Sequence, residues 1–333
     1  MKQTLKPGIH SQLYRAASGY ATNKPGWLKV APEHGVVGVV EHGFVDDLTP
    51  RRYGAYKEER VKAGLQSGCA FGFGDLRDVE HAKVMARKVA DVARLADYCV
   101  VDGEGLWEDD ALDVAKVSAF YEEFRARAPD VYLIDQPPAR PIPGKHGSPL
   151  WILTAKWVDA RGPMWYSNNL RFRGVRAGVM GLGDDAYERI WPDYEHDWNT
   201  IVPRRSAALG VVPDKLVPTI QAYHWVFDTL VDALLRYDTL IMWQENHGRA
   251  QRCFEQDDWT VGPYPPSRTR RAMRVVHELR KRGYTGRDAV AQFRAAAGLP
   301  PAKMRTREDG KPSTVPVIDS AMLEALKIPA FPA

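Results

Sequence analysis

The sequence predicts an α/β fold: a (β/α)8 TIM-type barrel followed by a small three-helix C-terminal domain. Three observations carry that expectation. Eight short apolar runs, each ending in a polar or turn residue, punctuate the first part of the chain, and most are near-continuously apolar, as parallel strands covered on both faces must be. Amphipathic helical stripes fall between several of them, the pattern of βα units around a parallel sheet. The runs are spread over about 250 residues, the usual span of such a barrel. No Gly-x-Gly-x-x-Gly follows the first run, so nothing specific favours an open dinucleotide-binding sheet.

In order, the predicted strands are residues 8–11, 36–41, 68–75, 98–105, 131–135, 162–167, 217–224 and 240–245. Val84, Ala86, Val89, Val92, Ala93 and Ala96 make an apolar stripe ahead of the fourth strand. Val114, Val117, Phe120, Tyr121 and Phe124 do so ahead of the fifth, and Leu230, Ala233, Leu234 and Tyr237 ahead of the eighth. Pro137, Pro138, Pro141, Pro143 and Gly144 mark a long loop of the kind that shapes a cleft. Residues 151–157 read as a helix, and 171–205 as an extended stretch rich in Trp, Tyr and charge.

The expected division is a barrel over 1–262, a Pro-rich linker over 263–268 and a helical domain over 269–333. Ala272, Val275, Val276 and Leu279 form one stripe of that domain. Val290, Phe293 and Ala297 form another, with Asp288 as N-cap and Gly298 as stop. Asp319 or Ser320 caps a third helix carrying Met322, Leu323 and Leu326.

Composition narrows the class. The chain has 333 residues, 44% hydrophobic and 26% charged, the profile of a globular protein. No apolar run reaches the length of a membrane span. The opening Met1-Lys-Gln-Thr-Leu-Lys-Pro-Gly8 holds no secretory signal, so synthesis in the cytoplasm is expected, with release by a holin-type route or carriage in a virion. Three cysteines, Cys69, Cys99 and Cys253, show no metal or redox spacing, and the first two sit in apolar runs as small buried hydrophobes. The net charge of +4 is uneven: 14 Lys/Arg against 6 Asp/Glu from Arg268 onward leave that part at +8 and the rest at −4. A basic tail favours an anionic partner such as a wall polymer. It lacks the interleaved aromatics of a nucleic-acid surface, and nucleic acid is not the expected partner.

The chemistry is expected at the strand ends. Along the fourth run, Tyr98, Val100, Asp102 and Glu104 alternate onto one face. Two positions along a strand span about 6.6 Å. Carboxylates that close raise one pKa toward a general acid while the other stays charged, the division glycoside hydrolysis needs. The alternative is that the pair merely caps the next helix. Glu41, Asp75, Asp135, Gln221, Tyr223, Gln244 and Glu245 would gather on the same rim, with Tyr166 and Trp243 as aromatic plates for sugar rings. No cofactor and no metal is expected. His10, His42, His224 and His247 at strand ends offer a metal alternative with Asp102 or Glu104, without helical ligand spacing to support it.

Asp102-Gly103-Glu104 at the end of the fourth strand and Met242-Trp243-Gln244 in the last resemble the barrel lysozymes of glycoside hydrolase family 25 and related phage cell-wall lysins. That family usually opens with an Asp in its first strand, where this chain has Ile9-His10-Ser11. The resemblance implies Glu104 as general acid and Asp102 as its electrostatic partner, with Glu245, Asp135 or Glu41 in the third acidic role. Residues 276–284, 289–299 and 319–326 resemble the small helical peptidoglycan-binding module of wall hydrolases, with Phe293-Arg294 where an aromatic-Gln pair is usual. Together they imply a peptidoglycan hydrolase acting on bacterial cell wall. The second reading is a glycan-binding or virion structural protein on the same barrel, with other virion proteins as partners.

Overall fold

The computed structural model describes residues 3–14, 31–46, 48–72, 76–102, 113–136, 153–165, 215–221, 227–244, 266–306 and 312–329. Its main strands are β1 (Gly8–Tyr14), β2 (Val36–Phe44), β3 (Gln66–Gly72), β4 (Tyr98–Asp102), β5 (Leu133–Gln136), β6 (Ala160–Arg161), β7 (Met164–Trp165), β8 (Thr219–Gln221) and β9 (Thr239–Gln244). All neighbours run parallel, in the order β6-β5-β4-β3-β2-β1-β9-β8-β7. β6 and β7 are the two ends of one segment, 160–165, parted by Gly162-Pro163. The first end pairs with β5, the second with β8, and Arg161 bridges to Leu216. The ladder therefore returns on itself as eight staves, the ring of a TIM-type barrel.

Alternation along the staves separates two environments. Val40, Ala70, Tyr98, Val100, Ile134, Ala160, Val217 and Ile241 form one buried cluster inside the ring. The intervening Cys69, Phe71, Cys99, Val101 and Leu133 pack outward with helical residues such as Ala86, Val89 and Phe120. Two glycines make room at the lower end. A Cβ on Gly38 would lie 2.3 Å from His10 Nδ1, and one on Gly68 would lie 2.4 Å from the Tyr98 ring. Their absent side chains let His10 and Tyr98 meet edge to face across the interior, ring centroids 5.1 Å apart.

The outer layer follows the apolar stripes. Helix α1 (Pro50–Lys62) starts at the Thr49 cap, α2 (Val79–Ala93) at Asp78 and α3 (Val114–Arg127) at Asp113, each side chain accepting from a first-turn N–H. The stripes of α2 and α3 are buried as expected except at Val84 and Val114, which are 42% and 55% exposed. Helix α1 has no such stripe, because only its Tyr53 and Arg60 are buried. Within the segment expected as a helix, residues 153–154 are helical and 155–157 form a turn. Helix α4 (Phe227–Arg236) precedes β9. Among the described residues no helix is long and apolar enough to cross a membrane.

The C-terminal part packs against the barrel. It holds α5 (Pro266–Lys281), α6 (Ala289–Ala296), an antiparallel pair β10 (Met304–Thr306) and β11 (Pro312–Pro316), and α7 (Ser320–Ala325). Helix α5 begins inside the expected linker, with Pro266 at its first position, where a missing N–H costs nothing. Its Ala272, Met273, Val275, Val276 and Leu279 share one apolar cluster with Ile9, Val36, Leu234 and Leu240 of the barrel. It packs on α4 and on the 3-10 turn Ala31–His34, and is the described helix that follows the last stave. Arg280 Nη2 donates to the carbonyls of Leu234 and Tyr237, each at 2.8 Å, and the Ile318 N–H donates to Asp228 Oδ1 at 2.9 Å. Asp288 makes no side-chain cap to α6, whereas Gly298, at φ +67°, ends it as expected, and Asp319 rather than Ser320 caps α7.

Candidate active site

The interior becomes polar toward the strand C-termini. Gln12 of β1 and Gln136 of β5 face each other across the ring: Gln136 Nε2 donates to Gln12 Oε1 at 2.8 Å and to Thr219 Oγ1 at 2.7 Å. All three are fully buried, so they form a floor rather than a contact surface. At the mouth end stand His42 and Asp102, 5% and 6% exposed. Asp102 follows Tyr98 and Val100 on the inner face of β4, and His42 follows Val40 on that of β2. At their level β3 presents the small Ala70 and Gly72 inward, and over that low stave His42 Nε2 comes within 3.4 Å of Asp102 Oδ2. Burial lowers the His42 pKa to about 3, so the imidazole is neutral near pH 7.

Two of the expected rim carboxylates are elsewhere. Glu41 lies between Val40 and His42, and alternation turns it outward, where Arg60 of α1 binds it in a buried ion pair. Asp135 likewise lies between Ile134 and Gln136 and accepts from Arg161 Nη1 and from Thr154 Oγ1. Both join staves to the outer layer, and neither faces the mouth. They are corrected from substrate-binding to scaffold positions, which also removes them as the third acidic participant. His10 is corrected too: it sits at the lower end of the ring, with Nδ1 2.8 Å from the Tyr98 hydroxyl and Nε2 2.9 Å from the Lys6 carbonyl. Among the described residues no three His, Cys, Asp or Glu side chains are placed to hold a metal ion.

Asp75, Glu104, Tyr166, Tyr223 and Glu245 lie outside the described residues, as do His224 and His247. The backbones of Gln221, Trp243 and Gln244 are on adjacent staves at the mouth end: Gln221 pairs with Trp243, Gln12 with Trp243 and Leu13 with Gln244. The residues that the sequence did not single out for the site are Gln12, Gln136 and Thr219. Gln12 and Gln136 are polar side chains at the inward phase of apolar runs, and that phase was the available signal. A second concavity, lined by Lys6, Gly8, Gly35, Leu65, His277 and Arg280, opens at the strand N-termini, the opposite end of the barrel.

No protein-family model and no curated protein sequence matches the chain. Solved structures do. The endo-beta-1,4-mannanase from Thermotoga petrophila is similar over 84% of this chain and 77% of its own, with 12% identity and a TM-score of 0.54. A protein assigned as chitinase A from Streptomyces coelicolor is similar over 72% of this chain and 92% of its own, with 14% identity and a TM-score of 0.50. At these identities the likeness is one of fold: the chain has the TIM-type barrel that glycoside hydrolases use.

Proposed function

We propose that this chain is a glycoside hydrolase, and that its substrate is the glycan of bacterial peptidoglycan. The observation that carries the proposal is Asp102. It is a carboxylate at the C-terminal end of the fourth stave, on the inner face, where barrel enzymes keep their chemistry. Glu104 follows two residues later in sequence. In this reading Glu104 gives its proton to the glycosidic oxygen as the C1–O bond breaks. Asp102 stabilises the positive charge that develops on the sugar ring, and water completes the hydrolysis. The likeness of the barrel to a mannanase and a chitinase supports a polysaccharide substrate. Peptidoglycan rests on the family 25 resemblance of Asp102-Gly103-Glu104 and Trp243-Gln244 and on the +8 charge of the C-terminal part, which suits an anionic wall.

The test is mass spectrometry of soluble fragments released from purified sacculi, beside chitin oligosaccharides and mannan, by the wild type, Glu104→Gln and Asp102→Asn. Muropeptides from the wild type and none from Glu104→Gln are expected. Fragments only from chitin or mannan would keep the hydrolase and replace the substrate. A second reading, a barrel that binds glycan without cutting it, gains from the two arginine-held carboxylates, Glu41 and Asp135. It predicts co-sedimentation with sacculi and no fragments at all.

A further inference from the structure

The cleft at the strand N-termini has no part in the glycosidase reading. It encloses about 750 Å³ where β1, β2, β3 and β9 begin, room for a small organic molecule. Its lining has two characters. Ile9, Val36, Leu65 and Val276 bring to it the edge of the apolar cluster that α5 shares with the barrel. Lys6, Arg280 and Lys281 stand around that edge against a single carboxylate, Asp238. No aromatic side chain is among the described lining residues, so the cleft lacks the flat plates on which a sugar ring stacks.

The fold already employs Arg280. Its Nη2 donates to the Leu234 and Tyr237 carbonyls at the end of α4, and Asp238 acts on its charge. Lys6 and Lys281 differ. Both are exposed, and among the described residues neither forms an ion pair. Nor does a helix end need them. At the close of α5 the Leu279 carbonyl accepts from the Arg282 and Tyr284 N–H groups, and the Arg280 carbonyl from that of Gly283. At the close of α1 the Arg60 carbonyl accepts from Ala63 and Leu65. Two ammonium groups therefore border an apolar wall with no structural duty of their own. His277 of α5 lines the same cleft, brought against Gly35 so closely that a Cβ there would lie 3.2 Å from its own Cβ.

We propose that this cleft binds a small soluble organic anion with an apolar body, an aromatic or short aliphatic sulfonate, carboxylate or phosphate. The body lies against Ile9, Leu65 and Val276, and the charge is directed to Lys6 and Lys281. Burial of the body supplies affinity, and the ammonium groups select the sign of the ligand. The inference is independent of what the barrel cuts.

The test uses 1-anilinonaphthalene-8-sulfonate with the full chain, followed by calorimetry and by the 15N ring signals of His277, identified by their loss in His277→Gln. The wild type is expected to bind the sulfonate, with the His277 signals shifting as it does. Lys6→Glu combined with Lys281→Glu should weaken binding about tenfold or more, since two attractive charges become repulsive ones. Circular dichroism checks that the double variant is folded; if it is not, the His277 signals of the wild type decide alone. Four results would each overturn the proposal: no binding by the wild type, His277 signals unmoved by the probe, unchanged affinity in the folded double variant, or equal affinity for uncharged N-phenyl-1-naphthylamine. Inorganic phosphate bound as tightly as the sulfonate would also refute it, because the apolar wall would then contribute nothing.

Discussion

Tyr98 donates its phenolic proton to Nδ1 of His10, 2.8 Å away across the barrel interior. The direction is fixed by the other ring nitrogen. The Lys6 carbonyl, 2.9 Å from Nε2, can only accept, so Nε2 carries the ring proton and Nδ1 is left as an acceptor. Tyr98→Phe should strand that buried nitrogen and lower stability by about 1–3 kcal/mol. Gly38→Ala should cost a similar amount or more, since its Cβ would meet His10 Nδ1 at 2.3 Å. Denaturant midpoints of the two variants check both numbers. A neutral outcome for Tyr98→Phe would mean that the bond contributes nothing net.

Acid should weaken the fold before most carboxylates titrate. Burial lowers His10 to about 4 and His42 to about 3. In the unfolded chain both return to about 6.5. Between those values the unfolded state binds more protons than the folded one, so stability falls as pH falls. The contribution is intact above about 6.5, and each group removes up to about 1.4 kcal/mol per pH unit below it. Unfolding free energies measured at pH 7, 6 and 5 should show this slope, and His42→Gln should flatten it. An unchanged slope in that variant would show that His42 is not held neutral by the fold.

Arg60 clamps β2 to α1, and Arg161 of β6 clamps to its register partner Asp135 on β5. Arg60→Leu or Arg161→Leu leaves Glu41 or Asp135 as an uncompensated buried charge, a loss of about 3–5 kcal/mol. Pairing Arg60→Leu with Glu41→Leu should recover much of it, because two apolar side chains replace the ion pair. Thermal unfolding of the single and double variants measures the recovery. Glu41→Gln that remains folded should keep whatever turnover the wild type shows, since its carboxylate faces away from the mouth.

Removal of residues from 263 onward should prevent folding rather than release an autonomous barrel. Helix α5 supplies Ala272, Met273, Val275, Val276 and Leu279 to the same core as Ile9, Val36 and Leu240. Circular dichroism and solubility of a chain stopped at residue 262 decide the matter. A soluble, cooperatively unfolding product would support the two-domain division.

Cys69 and Cys99 are register partners on β3 and β4, both fully buried. Burial pushes the Cys69 thiol well above its usual pKa, so a thiol reagent should reach these two only as the chain unfolds. Their labelling rate in rising denaturant should track loss of ellipticity. Reaction at the native rate of an exposed thiol would contradict the packing.

How much could be read beforehand depended on which signal a segment carries. Continuous apolar runs such as Val36–Glu41 and Tyr98–Asp102 mark staves because both of their faces are covered. Helix α1 escaped, since Pro50–Lys62 is mostly charged and buries little beyond Tyr53 and a salt-bridged Arg60. Asp102 was legible through its inward phase with Tyr98 and Val100. Glu41 and Asp135 were misjudged because proximity to a strand end was weighed and phase was not; one position of difference turns a side chain from mouth to scaffold. His42 had the right phase all along, next to Val40. The division at 263–268 rests on a proline cluster, of which Pro266 is the first residue of α5.

The placement of α5 also orders events during synthesis. Ile9 and Val36 belong to the first staves made, yet the surface that covers them includes Ala272 to Leu279 and, beyond these, Met322 and Leu326. On the ribosome the amino-terminal staves therefore emerge long before this part of their covering does. The shared core is therefore expected to close only after the carboxyl-terminal helices have been made.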